Sequence, residues 1–195
     1  CLPASGKQML VSLLIVFAAT IQLSAQIKYS PSDERKEAGM GVDRVARFFT
    51  AGYDSPLAQK DDELRWVQID LGSKKKITGV RLLPRVIPWG YVSSVGFPSR
   101  FKIEVSDDID FRSPLLYANY IREDFRDPFD EVCTFSGSEV YGRYVRLTAL
   151  RLRQQRLSLT KFIVLSDSID IAEGCNASDS QSGNLGVTVL TRPPR

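Results

Sequence analysis

The chain has 195 residues, of which 43% are hydrophobic and 25% charged, a composition that supports a folded domain with an apolar core. The 26 basic residues nearly balance the 23 acidic ones, and the net charge of +3 is too small to predict a nucleic-acid partner. Histidine is absent, which excludes Ser/His/Asp triads, Cys/His pairs and histidine metal sites.

The first element in the chain is an apolar run that begins at Met9 and ends in the small residues Ser24 and Ala25. An apolar segment followed by a small-residue cleavage site is typical of a secretory signal peptide. We therefore predict a signal-peptide helix within residues 1–25, with residues 1–8 as an upstream extension if Met9 is the true start. An uncleaved anchor helix is the alternative, and it would be the only contact with a membrane. Either way we expect a secreted or periplasmic protein.

The next segment, residues 26–40, is polar and aperiodic, which predicts a linker. From Trp66 the pattern alternates with a period of two, and Val67, Ile69 and Leu71 share one face. The same alternation or a short β-rich run recurs at 77–86, 101–106, 113–120, 131–135, 144–149 and 159–166. No helical period follows the signal segment. The pattern predicts an all-β domain over residues 41–167.

The end of the chain, residues 168–195, is rich in Ser, Asp, Asn and Gly and finishes in Pro-Pro-Arg. This composition predicts a linker and the start of a further region downstream. The three cysteines, Cys1, Cys133 and Cys175, lack the close spacing of a zinc or redox pair. A Cys133–Cys175 disulfide and two free thiols remain alternatives.

Five segments carry a resemblance to a known family. They are WVQIDLG (66–72), ITGVRL (77–82), RFKIEVSDD (100–108), GRYVRLTAL (142–150) and KFIVLSD (161–167). In this order and spacing they resemble the discoidin domain, also called the coagulation-factor type C domain, which is similar to the family 32 carbohydrate-binding modules of bacteria. The resemblance covers about residues 40–167 and implies a jelly-roll β-sandwich of about eight antiparallel strands.

Membership of that family would place the ligand-binding loops before Trp66, between Leu83 and Phe101, and between Leu150 and Leu159. An aromatic ring packs on the apolar face of a sugar, and Arg or Gln side chains bond its hydroxyl groups. The candidate ligand-binding residues in and near these loops are Tyr53, Arg85, Trp89, Tyr91, Phe97, Arg151, Arg153 and Gln154. A lid over the end of the sandwich is the alternative role for Trp89, and a core position is the alternative for Tyr53.

The resemblance implies a non-catalytic module for glycan or polysaccharide at the N-terminus of a larger secreted protein, such as a glycoside hydrolase, with the downstream domains as further partners. The main alternative is a structural or protein-interaction β-sandwich without a sugar ligand. An anionic-lipid binder is a third hypothesis. A fourth is an independent glycosidase, which needs two carboxylates across a cleft. Its candidates are the adjacent acids Asp61, Asp62, Asp107, Asp108, Glu123 and Asp124.

We predict no cofactor and no metal site. The family often holds a structural calcium ion in a loop reading like Asp-Gly-Asp followed by Thr. The matching region here retains only Asp43 and Thr50, and its glycine pattern is lost.

Overall fold

The computed structural model describes residues 52–86, 94–181 and 185–193. These residues form eight strands and one 3₁₀ helix: β1 Tyr53–Asp54, β2 Arg65–Pro84, β3 Arg100–Ser106, β4 Leu115–Tyr120, β5 Cys133–Arg151, β6 Ser158–Ser166, β7 Ile169–Asp170, β8 Asn176–Asp179 and the 3₁₀ helix Leu185–Thr191. The strand order is β1-β6-β2-β5-β3-β4, with β7 on β6 and β8 on β2. Every pairing of these strands is antiparallel, so the predicted all-β fold of about eight antiparallel strands is confirmed.

The predicted signal peptide and the linker that follows it lie outside the described residues. Within the described residues, no helix has the length and apolar character of a membrane span.

Strands β2 and β5 pair along nearly their whole length and form a long two-stranded ribbon. Phe101 pairs with Ala149 near the end of β5, yet its ring centroid lies 5.8 Å from that of Phe135 near the start of β5. A straight strand rises about 3.3 Å per residue and would hold these two positions tens of ångströms apart. The ribbon therefore folds back on itself, and its two halves face each other as the two layers of a sandwich.

The fold-back joins four predicted strands into two. The predicted segments 66–71 and 77–86 lie in one continuous β2, which ends at Pro84, and the segments 131–135 and 144–149 lie in one β5, which begins at Cys133. The chain stays hydrogen-bonded around the bend, where Lys75 pairs with Gly142. The alternation of apolar and polar residues in each half of β2 and β5 shows the period of a strand. It does not show that the two halves form one continuous strand.

The core lies between the two layers. Val67, Ile69 and Leu71 are buried as predicted, and so are the alternating apolar residues of β3 and the second half of β5. Near one end of the sandwich, neighbouring aromatic rings pack with centroids 4.9–6.1 Å apart. These rings belong to Phe97, Phe101, Tyr120, Phe125 and Phe135. Contacts at this separation add to the burial energy of the rings and fix the spacing of the layers.

Two glycines allow the ribbon to fold back. Gly72 has a φ of 79°, a left-handed conformation that favours glycine. At Gly142, a Cβ atom would lie 2.3 Å from Cγ1 of Val105, so only glycine lets β5 pass this close to β3.

Because the ribbon folds back, both ends of β2 and both ends of β5 lie at the same end of the sandwich. We call this end the loop end; its described residues are 52–64, 84–86, 94–100, 121–132 and 151–158. The opposite end, where the ribbon bends, is the turn end. The described parts of the three implied ligand-binding loops all fall at the loop end.

The prediction of a linker over residues 168–195 is wrong for the described part of that segment. Strand β8 pairs with the first half of β2, and the 3₁₀ helix packs against β1, β6 and β8. Val187 and Leu190 of the helix are buried in the core. The polar composition misled the prediction because a short edge strand and a short 3₁₀ helix need few apolar residues.

A buried hydrogen bond also ties this segment to β1. The Tyr53 hydroxyl donates to Asp179 Oδ2 at 2.8 Å, and burial together with this bond raises the pKa of Tyr53. Cys133 is buried, Cys175 is partly buried, and no disulfide joins the two.

The burial of the C-terminal segment predicts a stability effect that a linker would not show. Leu190→Ala should lower the free energy of unfolding by about 2–5 kcal/mol, because it leaves a cavity in the core. Arg192→Ala, at an exposed position two residues later, should change it by less than about 0.5 kcal/mol. Denaturant unfolding of both variants measures the difference. Equal values would mean that the helix does not pack on the sandwich.

Candidate functional site

A carboxylate shared by two arginines lies at the loop end. Asp54, the last residue of β1, accepts hydrogen bonds at Oδ2 from Arg85 Nη1 at 2.6 Å and from Arg156 Nη1 at 2.9 Å. Its Oδ1 accepts a hydrogen bond from the Ser158 hydroxyl. We call Asp54, Arg85, Arg156 and Ser158 the Asp54 cluster. It joins three segments that are distant in sequence and fixes the orientation of two half-buried guanidinium groups.

The backbone around the Asp54 cluster is closely packed. Gly96 has a φ of 66°, and a Cβ atom there would lie 2.6 Å from Ser158 Oγ and 2.8 Å from Arg156 Cγ. On the other side, a Cβ atom on Gly52 would lie 3.2 Å from Arg85 Cδ. The two arginine side chains are therefore confined by their neighbours as well as by Asp54.

Two donors in this region have no acceptor among the described residues. They are the Nε–H groups of Arg85 and Arg153, both of which are buried. A buried donor without a partner costs about 1–3 kcal/mol. Ordered water or a ligand atom would remove that cost.

A tight turn presents two amide side chains next to the cluster. Arg153 and Arg156 form an isolated antiparallel bridge, and the exposed residues between them, Gln154 and Gln155, have φ values of 55° and 56°. This conformation is uncommon for residues other than glycine and marks positions fixed by their surroundings. The backbone is held by a hydrogen bond from Ala58 N to Gln155 O at 2.7 Å. Both amides are thus presented to solvent from a fixed backbone.

A depression of about 540 Å³ opens beside this turn. It is lined by Asp61, Asp62, Arg100, Ile121, Leu150 and Arg151. A backbone hydrogen bond of 2.6 Å from Leu152 N to Asp61 O holds the segment of Asp61 and Asp62 against the end of β5. The depression therefore combines carboxylates, guanidinium groups and aliphatic surface on a fixed frame.

The arginines of the depression share a second carboxylate. Arg100 Nε donates to Asp124 Oδ1 at 2.6 Å, and Arg151 Nη1 lies 3.7 Å from Asp124 Oδ2. The bond from Arg100 holds the pKa of the Asp124 carboxyl below its ordinary value. Asp124 is therefore ionised at neutral pH and sets the position of both guanidinium groups at the rim.

The structure brings four of the predicted ligand-binding residues together at the loop end: Arg85, Arg151, Arg153 and Gln154. It places two others in the core: Phe97 packs against Phe101 and Phe125, and Tyr53 bonds Asp179. Both of these side chains are fully buried and offer no surface to a ligand in this conformation.

Trp89 and Tyr91 lie outside the described residues, and their role stays a prediction. The chain on either side is placed: Arg85 and Val95 form a bridge in which Val95 N donates to Arg85 O at 2.8 Å. The two flanking positions are therefore held together, and Arg85 itself belongs to the Asp54 cluster.

Sequence reasoning did not select Asp54, Arg156, Arg100 or Asp124 as binding residues. No local pattern distinguishes them, since each gains its place from partners far away in the sequence. The acidic pairs considered for catalysis are divided between the two ends: Asp107 and Asp108 follow β3 at the turn end. The described residues contain no group of three potential metal ligands, and Asp43 and Thr50 lie outside them.

Comparison with known proteins identifies the fold family. A profile of the F5/8 type C domain matches residues 45–161, which is more than half of the chain. The chain belongs to the F5/8 type C domain family. Its domains are non-catalytic binding modules, so this segment is not an enzyme. They are typically extracellular parts of secreted proteins.

Solved structures similar to this F5/8 type C domain include three carbohydrate-binding modules. Chitosan-binding module 1 from the chitosanase/glucanase of Paenibacillus sp. IK-5 is 17% identical, with 60% of this chain and 77% of that chain covered and a TM-score of 0.46. CBM32-1 from a family 31 glycoside hydrolase of Clostridium perfringens is 17% identical, with 72% and 90% covered and a TM-score of 0.47. CpGH89CBM32-5 from the same species, in complex with GalNAc-β-1,3-galactose, is 14% identical, with 59% and 94% covered and a TM-score of 0.43. No curated protein matches the chain significantly.

The Asp54 cluster predicts a stability effect at the loop end of this F5/8 type C domain. Asp54→Asn should lower the free energy of unfolding by about 1–3 kcal/mol, because two half-buried guanidinium groups lose their charged acceptor. Asp110→Asn removes an exposed partner of Arg112 at the turn end and should cost less than about 1 kcal/mol. Denaturant unfolding at neutral pH compares the two. Equal losses would contradict the organising role of Asp54.

Proposed function

We propose that this F5/8 type C domain binds carbohydrate at the loop end. The observation that carries the proposal is the depression, where guanidinium groups, carboxylates and aliphatic side chains line about 540 Å³. Ligand sites for small molecules have volumes of about 300–1,000 Å³ and combine apolar walls with a few fixed polar groups. Family membership adds that the domain is a binding module.

The lining chemistry suits a sugar ring. Each hydroxyl group of a sugar both donates and accepts hydrogen bonds, and the depression supplies donors on Arg100 and Arg151 and acceptors on Asp61 and Asp62. Leu150 and Ile121 supply aliphatic surface for the C–H groups of the ring. Because salt bridges and backbone bonds already hold these groups, little conformational freedom is lost on binding.

The neighbouring residues extend the site toward the Asp54 cluster. Gln154 presents its amide from the fixed turn between Arg153 and Arg156, and Arg85 shares Asp54 with Arg156. Trp89 and Tyr91 are proposed to add aromatic surface, on the basis of their positions in the sequence.

The wider context is also a proposal. The signal-like segment before residue 26 supports export, and a binding module of this kind serves a larger protein by holding it at its substrate. We propose that the domain is the N-terminal module of a larger secreted protein such as a glycoside hydrolase.

A second candidate function is protein binding at the same end. It is favoured by exposed apolar side chains in the loops, since Leu57, Leu64 and Phe129 are each 58–60% exposed. Apolar side chains at this exposure are common at protein interfaces as well as at ligand sites.

A glycan array probed with the 195-residue chain tests the carbohydrate proposal. The array includes galactose, N-acetylgalactosamine and chitosan oligosaccharides, which cover the sugars named for the similar structures. We expect binding to at least one glycan, and we expect Arg151→Ala to weaken it by about tenfold or more, since a hydrogen bond from a charged donor contributes about 1.5–3 kcal/mol. The double variant Trp89→Ala/Tyr91→Ala tests the aromatic residues.

Arg112→Ala is the matched control, because Arg112 is an exposed arginine of the turn end whose ion pairs with described residues are with Asp108 and Asp110 of its own loop. It should bind like the unmodified chain. Failure of the unmodified, folded chain to bind any glycan would contradict the proposal and favour the protein-binding function.

A further inference from the structure

The charge balance of the Asp54 cluster points to the class of glycan. We infer that the ligand carries an oxyanion, a carboxylate or a sulfate ester, and that Arg85 and Arg156 hold it. The inference rests on the proposed function, since it concerns the ligand of the same loop end. It differs in its prediction, because it requires an acidic group on the glycan.

The cluster has more positive than negative charge. Two guanidinium groups, on Arg85 and Arg156, share the single carboxylate of Asp54 through one oxygen atom. Their side chains are 25% and 30% exposed, so water screens the surplus charge only in part. A surplus cation in this setting attracts an anion more strongly than a fully exposed arginine does.

Three other carboxylates of the loop end have partners of their own. Asp124 pairs with Arg100 and Arg151, and Glu131 pairs with Arg126. Asp127 accepts hydrogen bonds from the backbone and hydroxyl of Ser94 and from the backbone of Phe129. None of these three forms an ion pair with Arg85 or Arg156 among the described residues.

The segment that follows Val86 in the sequence contains no carboxylate, because residues 87–93 read IPWGYVS. An anionic ligand is then the natural counter-charge.

The geometry suits an oxyanion on a sugar. A guanidinium presents its N–H groups in a planar fork that matches the oxygens of a carboxylate or a sulfate. Each arginine uses Nη1 on Asp54, and the buried Nε–H of Arg85 has no acceptor among the described residues. Asp54 and the close packing at Gly96 hold Arg156 in place. The anion therefore meets donors that are already oriented.

Two matched pairs of glycans test the inference with the 195-residue chain. The first pair is trigalacturonic acid and its methyl ester, and the second is a sulfated galactan oligosaccharide and its desulfated form. We expect the chain to bind the acidic member of at least one pair about tenfold more tightly than the neutral member. Raising the ionic strength from about 0.05 M to about 0.5 M should reduce this preference.

Variants assign the preference to the cluster. Arg156→Gln should abolish the preference for the acidic member, and Arg156→Lys should retain part of it because the charge remains. Arg112→Gln at the turn end should behave like the unmodified chain. Thermal unfolding of each variant establishes that it is folded.

The outcomes separate the two proposals. Equal binding of acidic and neutral members overturns the inference and leaves the carbohydrate proposal standing. A preference that persists in folded Arg156→Gln overturns the assignment to the Asp54 cluster. No binding to any glycan, here or on the array, overturns the carbohydrate proposal itself and the inference with it.

Discussion

Every loop that reaches the candidate site depends on the fold-back of the β2–β5 ribbon. Because each of these long strands runs up one layer and down the other, its two ends meet at the same end of the sandwich. The neighbouring strands β1, β3, β4 and β6 begin or end there for the same reason, since they pair with β2 or β5 directly or through each other. The close approach at Gly142 and the aromatic cluster between the layers stabilise this arrangement. The position of the site is therefore a consequence of the core.

Ion pairs between the loops of the loop end hold the surface of this end in one conformation. Asp54 joins β1 to the segments after β2 and before β6, and Asp124 joins the loop before β5 to the start of β3 and the end of β5. Exposed ion pairs contribute little to stability, with typical values of about 0–1 kcal/mol. Their larger effect here is to orient guanidinium groups before a ligand arrives, which reduces the entropy lost on binding. The same residues therefore organise the loops and give the surface its chemistry.

The alternation of apolar and polar residues was sufficient to predict the strands and their buried faces. It did not predict that β2 and β5 continue from one layer of the sandwich into the other. Residues such as Val67 and Ile69 show the period of a strand whatever they pair with, so their burial could be predicted locally. The continuity of β2, the pairing of β8 and the burial of Leu190 arise from contacts between distant segments, which no local pattern records. Arg85 was predicted because it flanks an aromatic loop. Asp54 was missed because its partners lie 31 and 102 residues away.

An NMR titration of the ¹⁵N-labelled chain with its strongest glycan ligand shows whether the loop end is the binding surface. We expect the backbone shifts to concentrate around the Asp54 cluster, the Gln154–Gln155 turn and the depression, while the amides near Gly72 and Gly142 at the turn end stay unchanged. Shifts concentrated at the turn end, or spread over the outer face of the sheets, would contradict it.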